Sequence, residues 1–328
     1  MEKMKIVHIG VGGFGKGWIN VVKNSGEWEI AAIVDVGREN LEDAAKEYGL
    51  PPSKCFSTLT EFLEHGTDAD ALLNVTPPNF HAETAIGAME AGLHVLIEKP
   101  LSDNMQDAQK MLESAAANNR KLMVSQNYRY KSQPRTIRKF IEDGSAGRIS
   151  YVNVNFQKGA KFSGFRKEMD YPLLIDMSIH HFDLMRYLIG QDAARVYAES
   201  WNPGWSWFKG DACLNLLFEF GAGIRLSYTG SWVSTGRDTT WDGDWEIHGE
   251  KGTILWKDNT LAFLEQGQQK EINSLRLERE HQAFSLYEFY RSIKEEREPE
   301  TGVKDNIKSL AMVFKALESI KKGIPVFF

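Results

Sequence analysis

Short apolar runs alternate with helical stretches along the first 127 residues. The runs are dense in Val, Ile and Leu, as in strands that are buried on both faces of a parallel sheet. Alternation of strand and helix predicts such a sheet, with right-handed crossover connections. The predicted strands are KIVHIG (5–10), WEIAAIVDV (28–36), ALLNVTPP (71–78), HVLIEKP (94–100) and KLMVSQN (121–127), with a short further strand in KCFS (54–57).

The pattern changes after about residue 130. ISYVNVNFQ (149–157) alternates apolar with polar positions, as a half-exposed strand does, and EFGAGIRL (219–226) predicts a hairpin. Several further strand candidates follow with few helices between them, and two amphipathic helices, 281–297 and 305–323, close the chain. We therefore predict an α/β fold in which a doubly wound parallel sheet precedes an α+β domain. The second domain has a large open, mostly antiparallel sheet.

Length and composition narrow the class of protein. The 328 residues suit two domains of ordinary size, which we place at 1–127 and 128–328. The net charge of −6 disfavours nucleic acid as a partner, because phosphate binding needs a basic surface. No apolar run reaches the length of a membrane span, and the short N-terminal run is unlike a signal peptide. Cys55 and Cys213 lack a zinc-binding spacing, so we expect free thiols in a cytoplasmic protein without metal.

The stretch HIGVGGFGKGW (8–18) contains G-x-G-x-x-G directly after the first predicted strand. In that context the motif predicts the dinucleotide-binding turn of a Rossmann domain. The first glycine makes the tight turn, the second lets the backbone approach a pyrophosphate, and the third lets the helix pack close to the strand. The phosphates would bind at the N-terminus of the helix that follows. The predicted cofactor-binding residues of this loop are Gly10, Gly12, Gly13, Phe14 and Gly15.

An acidic residue about 20 positions further on is the second part of this motif. Asp35 ends AAIVD, at the tip of the second predicted strand. There it can accept hydrogen bonds from a ribose 2′-hydroxyl, which favours NAD over NADP. Arg38 follows three residues later and could pair with a 2′-phosphate, which leaves NADP open.

Two charged residues stand at the carboxyl end of the strand HVLIEKP, the edge at which open parallel sheets bind ligands. Pro100 predicts an extended conformation for Lys99, which aims that side chain over the edge. Lys99 could then hydrogen-bond a substrate oxygen and stabilise developing alkoxide charge. The alternative is a solvated Glu98–Lys99 pair that only ends the strand.

The segment DMSIHHFD (176–183) places two carboxylates and two histidines on one predicted helix. At about 100° per residue, Asp176 and His180 lie about 40° apart, and Asp183 shares their face. His181 lies about 140° from Asp176, in a different environment. A carboxylate one turn before a histidine can orient the ring and stabilise the imidazolium, as a general base requires. The alternative is a surface ion pair beside a packed histidine.

These motifs, in this order, resemble those of the Gfo/Idh/MocA family, the glucose-fructose oxidoreductase and inositol dehydrogenase type. The resemblance covers nearly the whole chain and depends on the glycine motif, TPPNFHAE (76–83), EKP (98–100) and DMSIHHFD. It implies a Rossmann domain, then an α+β domain whose open sheet mediates dimers or tetramers. It also implies a nicotinamide-dependent oxidoreductase.

The resemblance also assigns roles to individual residues. It places Lys99 near the nicotinamide and the substrate, and it makes His180, beside Asp176, the acceptor of the substrate's hydroxyl proton. Ser178 departs from the many family members with glycine at this position. Because serine is small, we expect little effect beyond a narrower pocket. The further residues expected near the cofactor are Thr76, Pro77, Pro78, Asn79, His81, Glu98, Lys99 and Asn127.

Tryptophan is frequent in the second domain, and flat aromatic faces can stack on sugar C–H surfaces. Packing in the core or at a subunit interface is the alternative for each of Trp201, Trp205, Trp207, Trp232, Trp241 and Trp245. Trp241 lies in the loop-like TTWDGDW (239–245) and is the preferred pocket residue. Arg166, before the histidine helix, could bind hydroxyls or a carboxylate. The predicted substrate-binding residues are Lys99, Arg166, Asp176, His180 and Trp241.

We therefore predict an NAD(P)-dependent oxidoreductase acting on a secondary hydroxyl of a sugar, inositol or related polyol, and assembling as a homodimer or homotetramer. Two alternatives stay open. One is a glycoside hydrolase that uses bound NAD for transient oxidation, and the other is a non-catalytic nucleotide-sensing regulator on the same fold. The joint presence of Lys99, Asp176 and His180 favours an enzyme over the regulator.

Overall fold

The computed structural model describes residues 3–66 and 68–328. Its first sheet has six parallel strands, all of them short and apolar. They are β1 (Met4–Ile9), β2 (Trp28–Val34), β3 (Cys55–Phe56), β4 (Ala71–Asn74), β5 (His94–Glu98) and β6 (Leu122–Ser125). The helices among them are α1 (Gly15–Lys23), α2 (Arg38–Tyr48), α3 (Leu59–Glu64), α4 (His81–Glu90) and α5 (Met105–Ala117). The order β3-β2-β1-β4-β5-β6 is that of a doubly wound Rossmann sheet, as predicted.

The second sheet has nine strands in the order β14-β13-β12-β11-β7-β10-β9-β8-β15. They are β7 (Ile149–Gln157), β8 (Ala193–Trp201), β9 (Cys213–Phe220), β10 (Arg225–Ser231), β11 (Asp244–Gly249), β12 (Thr253–Lys257), β13 (Thr260–Glu265), β14 (Gln268–Glu271) and β15 (Val326–Phe327). Strands β7 and β10 pair parallel, and the other neighbours pair antiparallel. The mostly antiparallel sheet and the β9–β10 hairpin agree with the prediction.

The remaining helices are α6 (Ser132–Glu142), α7 (Phe165–Glu168), a π-helix (Leu173–Met177), α8 (Ser178–Ile189), α9 (His281–Lys294) and α10 (Val303–Lys322). Helix α8 covers the buried face of the second sheet, where Phe182 lies with its ring centroid 5.1 Å from Phe218 of β9 and 5.9 Å from Tyr228 of β10. Nearly all residues of α8 are buried, so the face of the helix that points away from the sheet is covered as well. No helix in the described part of the chain is long and apolar enough to cross a membrane.

The chain forms two compact units that differ from the predicted domains 1–127 and 128–328. The nucleotide unit consists of Met1–Tyr130 with Arg279–Leu310, and the sheet unit consists of Lys131–Glu278 with Ala311–Phe328. The prediction assigned all of the last 201 residues to the second domain, because sequence order alone gives no sign that the chain returns.

Helix α9 explains the return, because its apolar face completes the core of the nucleotide unit. Phe289 stacks on Trp28 of β2 with ring centroids 5.6 Å apart, and the Trp28 indole donates to the Leu286 carbonyl oxygen at 3.2 Å. Just before the helix, the Arg279 guanidinium donates to both carboxylate oxygens of Glu27, at 2.8 and 2.7 Å. One face of the parallel sheet is therefore closed by residues distant in sequence.

We expect Phe289→Ala to lower the free energy of unfolding by about 3–5 kcal/mol, because the ring is fully buried and its loss leaves a cavity. Urea unfolding followed by tryptophan fluorescence measures the change. The matched control is Phe327→Ala, since that ring is 68% exposed. Equal losses in the two variants would contradict the role given to α9.

Candidate functional site

The turn between β1 and α1 depends on two close backbone approaches. Gly10 has a φ of +82°, and a Cβ added there would lie 2.6 Å from the Val75 carbonyl carbon. A Cβ on Gly15 would overlap the carbonyl oxygen of Gly10. Helix α1 therefore begins directly against the end of β1, which only glycine at both positions permits.

The N-terminus of α1 has the properties of an anion site. No side chain caps this end of the helix, and its first turn has no acidic residue. Unsatisfied N–H groups and the helix dipole favour a negative charge at such an end. Nothing lies within 4 Å of an added Cβ on Gly13, and the Phe14 side chain is 63% exposed. The cradle therefore fits the pyrophosphate of a dinucleotide.

Asp35, just past the end of β2, bonds to the glycine loop as well as to its own turn. Its Oδ2 accepts from the backbone N–H of Val11 at 2.9 Å and of Gly12 at 3.2 Å. Its Oδ1 accepts from the Gly37 N–H at 2.7 Å. The carboxylate thus lies at the end of the cradle nearest β2, which is the ribose end in dinucleotide-binding Rossmann folds. The Arg38 side chain, which sequence analysis linked to a 2′-phosphate, donates to Glu42 at 2.8 Å.

The segment after β4 forms a second side of this edge. Asn74 Oδ1 accepts from the hydroxyl of Thr76 at 2.7 Å. His81, which is 1% exposed, places Nε2 2.8 Å from the Thr76 carbonyl oxygen and Nδ1 2.9 Å from that of Pro100. His81 therefore lies between the two segments. Burial lowers the pKa of its ring, and the neutral ring donates to one of these two carbonyl oxygens. Pro77, Asn79 and Phe80 are exposed at the rim of this edge.

Glu98 at the end of β5 is buried between two N–H donors. Its Oε1 accepts from the Trp18 indole at 2.8 Å, and its Oε2 accepts from the Lys99 backbone N–H at 3.1 Å. Burial raises the pKa of this carboxyl to about 7, although both donors and the Lys99 charge oppose the rise. Neither donor can accept a hydrogen bond, so this geometry favours the ionised form.

In the sheet unit, Asp176 belongs to the π-helix that precedes α8. The Ser178 backbone N–H donates to the Leu173 carbonyl oxygen, five residues back, and the Ser178 hydroxyl donates to the same oxygen at 3.0 Å. The α-helical angles used in sequence analysis therefore do not hold at Asp176, because a π-turn is wider. Ser178 is fully buried with its hydroxyl on the backbone. The expectation that it narrows a pocket is corrected accordingly.

Asp176 forms an ion pair with Arg166 of α7. Arg166 Nε donates to Asp176 Oδ2 at 2.7 Å and Nη2 reaches Oδ1 at 3.4 Å. The guanidinium carbon also lies 5.5 Å and 4.9 Å from the ring centroids of Phe162 and Phe165. Arg166, predicted only as a substrate ligand, therefore holds the carboxylate predicted to act with His180. His180 itself lies in the first turn of α8 and is 7% exposed.

His181 has the separate environment that sequence analysis expected, and it holds the Trp241 loop. Its Nε2 lies 3.0 Å from the Trp241 carbonyl oxygen and its Nδ1 lies 3.1 Å from the Tyr228 hydroxyl. Because a carbonyl only accepts, Nε2 donates and Nδ1 accepts from Tyr228. Burial lowers the pKa of His181 to about 4, which keeps the ring neutral at pH 7.

Buried polar contacts hold the same loop while the Trp241 ring stays 45% exposed. Lys131 Nζ donates to Asp242 at 2.6 Å, and the Trp245 indole donates to the Asp242 carbonyl oxygen at 2.7 Å. Trp241 is therefore presented at the surface by a rigid support. Of the other tryptophans, Trp232 and Trp245 are buried core residues, as their alternative interpretation held, and Trp201 and Trp205 are exposed.

The predicted residues divide between the two units. The nucleotide unit brings the glycine loop, Asp35, the Thr76–His81 segment and the Glu98–Lys99 pair to the carboxyl edge of its sheet. Asn127 follows β6 in the same unit, and its buried Oδ1 has no hydrogen-bond partner within the described chain. The sheet unit contains Arg166, Asp176, His180 and Trp241.

Three further residues support these sites without being indicated by any sequence motif: Trp18, Lys131 and Asp242. Each contacts a partner that is distant in sequence, so no local motif indicates its role. Both cysteines are free, and within residues 3–66 and 68–328 no group of three His, Cys, Asp or Glu side chains could hold a metal ion.

Comparison with known proteins agrees with this arrangement. Residues 4–126 match the family model described as "Oxidoreductase family, NAD-binding Rossmann fold", and residues 135–255 match the one described as "GFO/IDH/MocA C-terminal domain". The chain is 28% identical to the uncharacterized protein y4oX of Sinorhizobium fredii, over 98% of this chain and 95% of that protein.

Characterised relatives match over a shorter span. A myo-inositol 2-dehydrogenase of Thermotoga maritima is 27% identical over 60% of this chain and 58% of its own length. A glucose-6-phosphate 3-dehydrogenase of Bacillus subtilis is 28% identical over 57% of this chain and 54% of its own length. A crystal structure of an Agrobacterium radiobacter oxidoreductase in complex with NAD+, L-tartaric acid and magnesium has the same fold, with a TM-score of 0.91 at 20% identity, covering 99% of this chain and 98% of that one.

We expect Gly15→Ala to weaken NAD+ binding by at least about tenfold, or about 1.4 kcal/mol, because the added methyl group overlaps the Gly10 carbonyl oxygen. Isothermal titration calorimetry measures the dissociation constant. Gly17→Ala is the matched control, since nothing lies within 4 Å of its added Cβ. Similar affinities for the two variants would show that the close approach at Gly15 does not form the cradle.

The buried Glu98 predicts a pH-dependent loss of stability. Its pKa is raised from 4.5 to about 7 in the folded chain, so the unfolded chain loses this proton first. As the pH rises from 4.5 to about 7, the free energy of unfolding should fall by something on the order of 3 kcal/mol. Above that range the contribution of Glu98 should stay level. Glu98→Gln should remove this part of the slope, as measured by urea unfolding at stepped pH. Trp18→Phe should extend the slope to higher pH, because it removes a donor to the carboxylate.

The control for this series is Glu113→Gln, which changes an exposed carboxyl on α5. Its stability should follow the wild-type pH dependence. If Glu98→Gln and Glu113→Gln have the same pH profile, Glu98 is not the group that titrates.

Proposed function

The chain belongs to the Gfo/Idh/MocA family of oxidoreductases with an NAD-binding Rossmann fold, and on that premise we propose that it oxidises a secondary hydroxyl of a sugar, inositol or related polyol. The observation that carries the proposal is the carboxyl edge of the parallel sheet. Strands β1, β4 and β5 are neighbours, so the glycine cradle, Thr76 and Lys99 reach the same edge. Open α/β sheets bind their ligands at that edge.

His180 is the proposed general base, which accepts the proton of the substrate hydroxyl at a ring nitrogen. Its position on a buried, rigid helix limits the entry of water and fixes the ring direction. Asp176 is the proposed stabiliser of the imidazolium that forms, and Arg166 is the positioning residue that holds the Asp176 carboxylate. The ion pair with Arg166 fixes the orientation of that carboxylate.

Lys99 is the proposed electrostatic stabiliser of the alkoxide that develops as the proton leaves. An ammonium group placed beforehand lowers the barrier because it requires no reorganisation during the reaction. NAD+, when bound, supplies the hydride acceptor. The chain's own residues therefore move one proton and stabilise one negative charge.

Two observations support the choice of cofactor and substrate class. The Asp35 carboxylate at the ribose end of the cradle disfavours a 2′-phosphate. We therefore propose NAD in preference to NADP. The half-exposed Trp241 ring on its rigid loop suits stacking against the C–H face of a sugar. The relatives named above act on inositol and on a sugar phosphate.

We also propose that the open sheet mediates a homodimer or homotetramer.

A panel of sugars, inositols and related polyols, offered with NAD+ and NADP+ separately, tests the reaction through reduced-nicotinamide absorbance. We expect turnover of at least one polyol with NAD+ preferred. His180→Ala and Lys99→Ala should each lower kcat by about a hundredfold or more, the typical worth of acid–base and electrostatic groups.

The control variants are His65→Ala and Lys110→Ala, which alter exposed side chains of the nucleotide unit. Both should retain wild-type turnover. Full activity in His180→Ala and Lys99→Ala would refute the assigned roles. Cleavage of a glycoside without accumulation of reduced cofactor would instead identify a glycoside hydrolase.

A further inference from the structure

The side-chain amide of Asn40, in the first turn of α2, fills the ribose end of the glycine cradle. Asn40 Nδ2 donates to Asp35 Oδ1 at 3.1 Å. A Cβ added to Gly12 would overlap this amide, and one added to Gly37 would lie 2.9 Å from its nitrogen. The amide is therefore enclosed by Gly12, Asp35 and Gly37. It occupies the space that the second glycine of the motif leaves free.

The hydrogen bonds of Asp35 also leave no acceptor position for a ribose hydroxyl. Its Oδ2 accepts from Val11 and Gly12, and its Oδ1 accepts from Gly37 and Asn40. A carboxylate offers about four lone-pair positions, so these four donors use all of them. A ribose hydroxyl can therefore bond to Asp35 only if one donor leaves.

Asn40 is the donor best able to leave. The other three donors are backbone N–H groups of the two turns that build the cradle. The Asn40 amide is carried on a side chain that can change rotamer without moving the backbone.

We propose that the Asn40 amide competes with the dinucleotide for Asp35 and for the space over Gly12, so that NAD binding requires this side chain to swing away. The proposal rests on the use of NAD put forward above. The free chain then exists as a blocked and an open form, and the measured affinity is reduced by the open fraction. Asn40 thus lowers affinity for the cofactor and leaves the acceptor position on Asp35 satisfied in its absence.

The proposed competition predicts the direction in which NAD+ affinity changes when the amide is removed. Removing the amide should tighten binding of NAD+, whereas an ordinary supporting residue would weaken binding when removed. The gain should be smaller for NADP+, because its phosphorylated 2′-oxygen has no hydroxyl proton to donate to the freed Asp35 oxygen. NAD+ and NADH should gain equally, since their adenosine ribose is the same.

Isothermal titration calorimetry of the full chain with NAD+, NADH and NADP+ tests this with Asn40→Ala. We expect its dissociation constant for NAD+ to fall by about threefold to tenfold, the net worth of one ordinary hydrogen bond. Asn20→Ala is the matched control, because it makes the same change at an exposed position of α1. Asn40→Ser, whose short side chain does not reach Asp35, should also bind NAD+ more tightly and serves if the alanine variant misfolds.

Unchanged or weaker NAD+ binding in both Asn40 variants, with wild-type binding intact, would overturn this proposal alone. An equal gain for NADP+ would overturn the competition for Asp35, because the effect would then not involve the 2′-hydroxyl. If the wild-type chain and the open variants all failed to bind NAD+, the proposed function would fail together with it.

Discussion

The Asp35 carboxylate is the interaction on which the nucleotide unit is organised. It joins the glycine loop after β1 to the turn after β2 by accepting backbone hydrogen bonds from both. Each bond fixes an N–H group that would otherwise need water, and bonds to an ionised acceptor are stronger than neutral ones. The pairing of β1 with β2 brings these two turns together, and the bonds to Asp35 join them directly. The glycines permit the close approach, and Asp35 gives it one geometry.

The sheet unit uses buried polar groups for a comparable purpose. The Lys131–Asp242 pair and the His181 bonds lie where burial penalises charge and unpaired donors. Replacing such groups with apolar residues often costs no stability, so their value lies in the position that they give to Trp241 and to α8. The exposed Trp241 ring and helix α8 are thereby held in fixed positions by buried contacts.

Local pattern predicted the parallel strands well, because strands buried on both faces must be continuous apolar runs and their connections leave few choices. The glycine motif and Asp35 were likewise visible, since their chemistry depends on spacing along one strand–turn–helix unit. The return of α9 to the nucleotide unit was not visible. An amphipathic helix records which of its faces is apolar, but not which core covers that face. The π-turn at Asp176 escaped prediction because it depends on how Leu173 and Ser178 are packed.

The sequence by itself thus determined the two sheets, the dinucleotide cradle and the set of residues able to move a proton or stabilise a charge. Residue types and short-range spacing are sufficient for these features. Only the tertiary structure decided that Arg166 holds Asp176, that Trp18 holds Glu98 and that Asn40 fills the cradle beside Asp35. The Trp18–Glu98 contact and the approach of Asn40 to Gly12 join groups that are distant in sequence. Their separation is set by the packing of whole elements, and no periodicity along the chain records it.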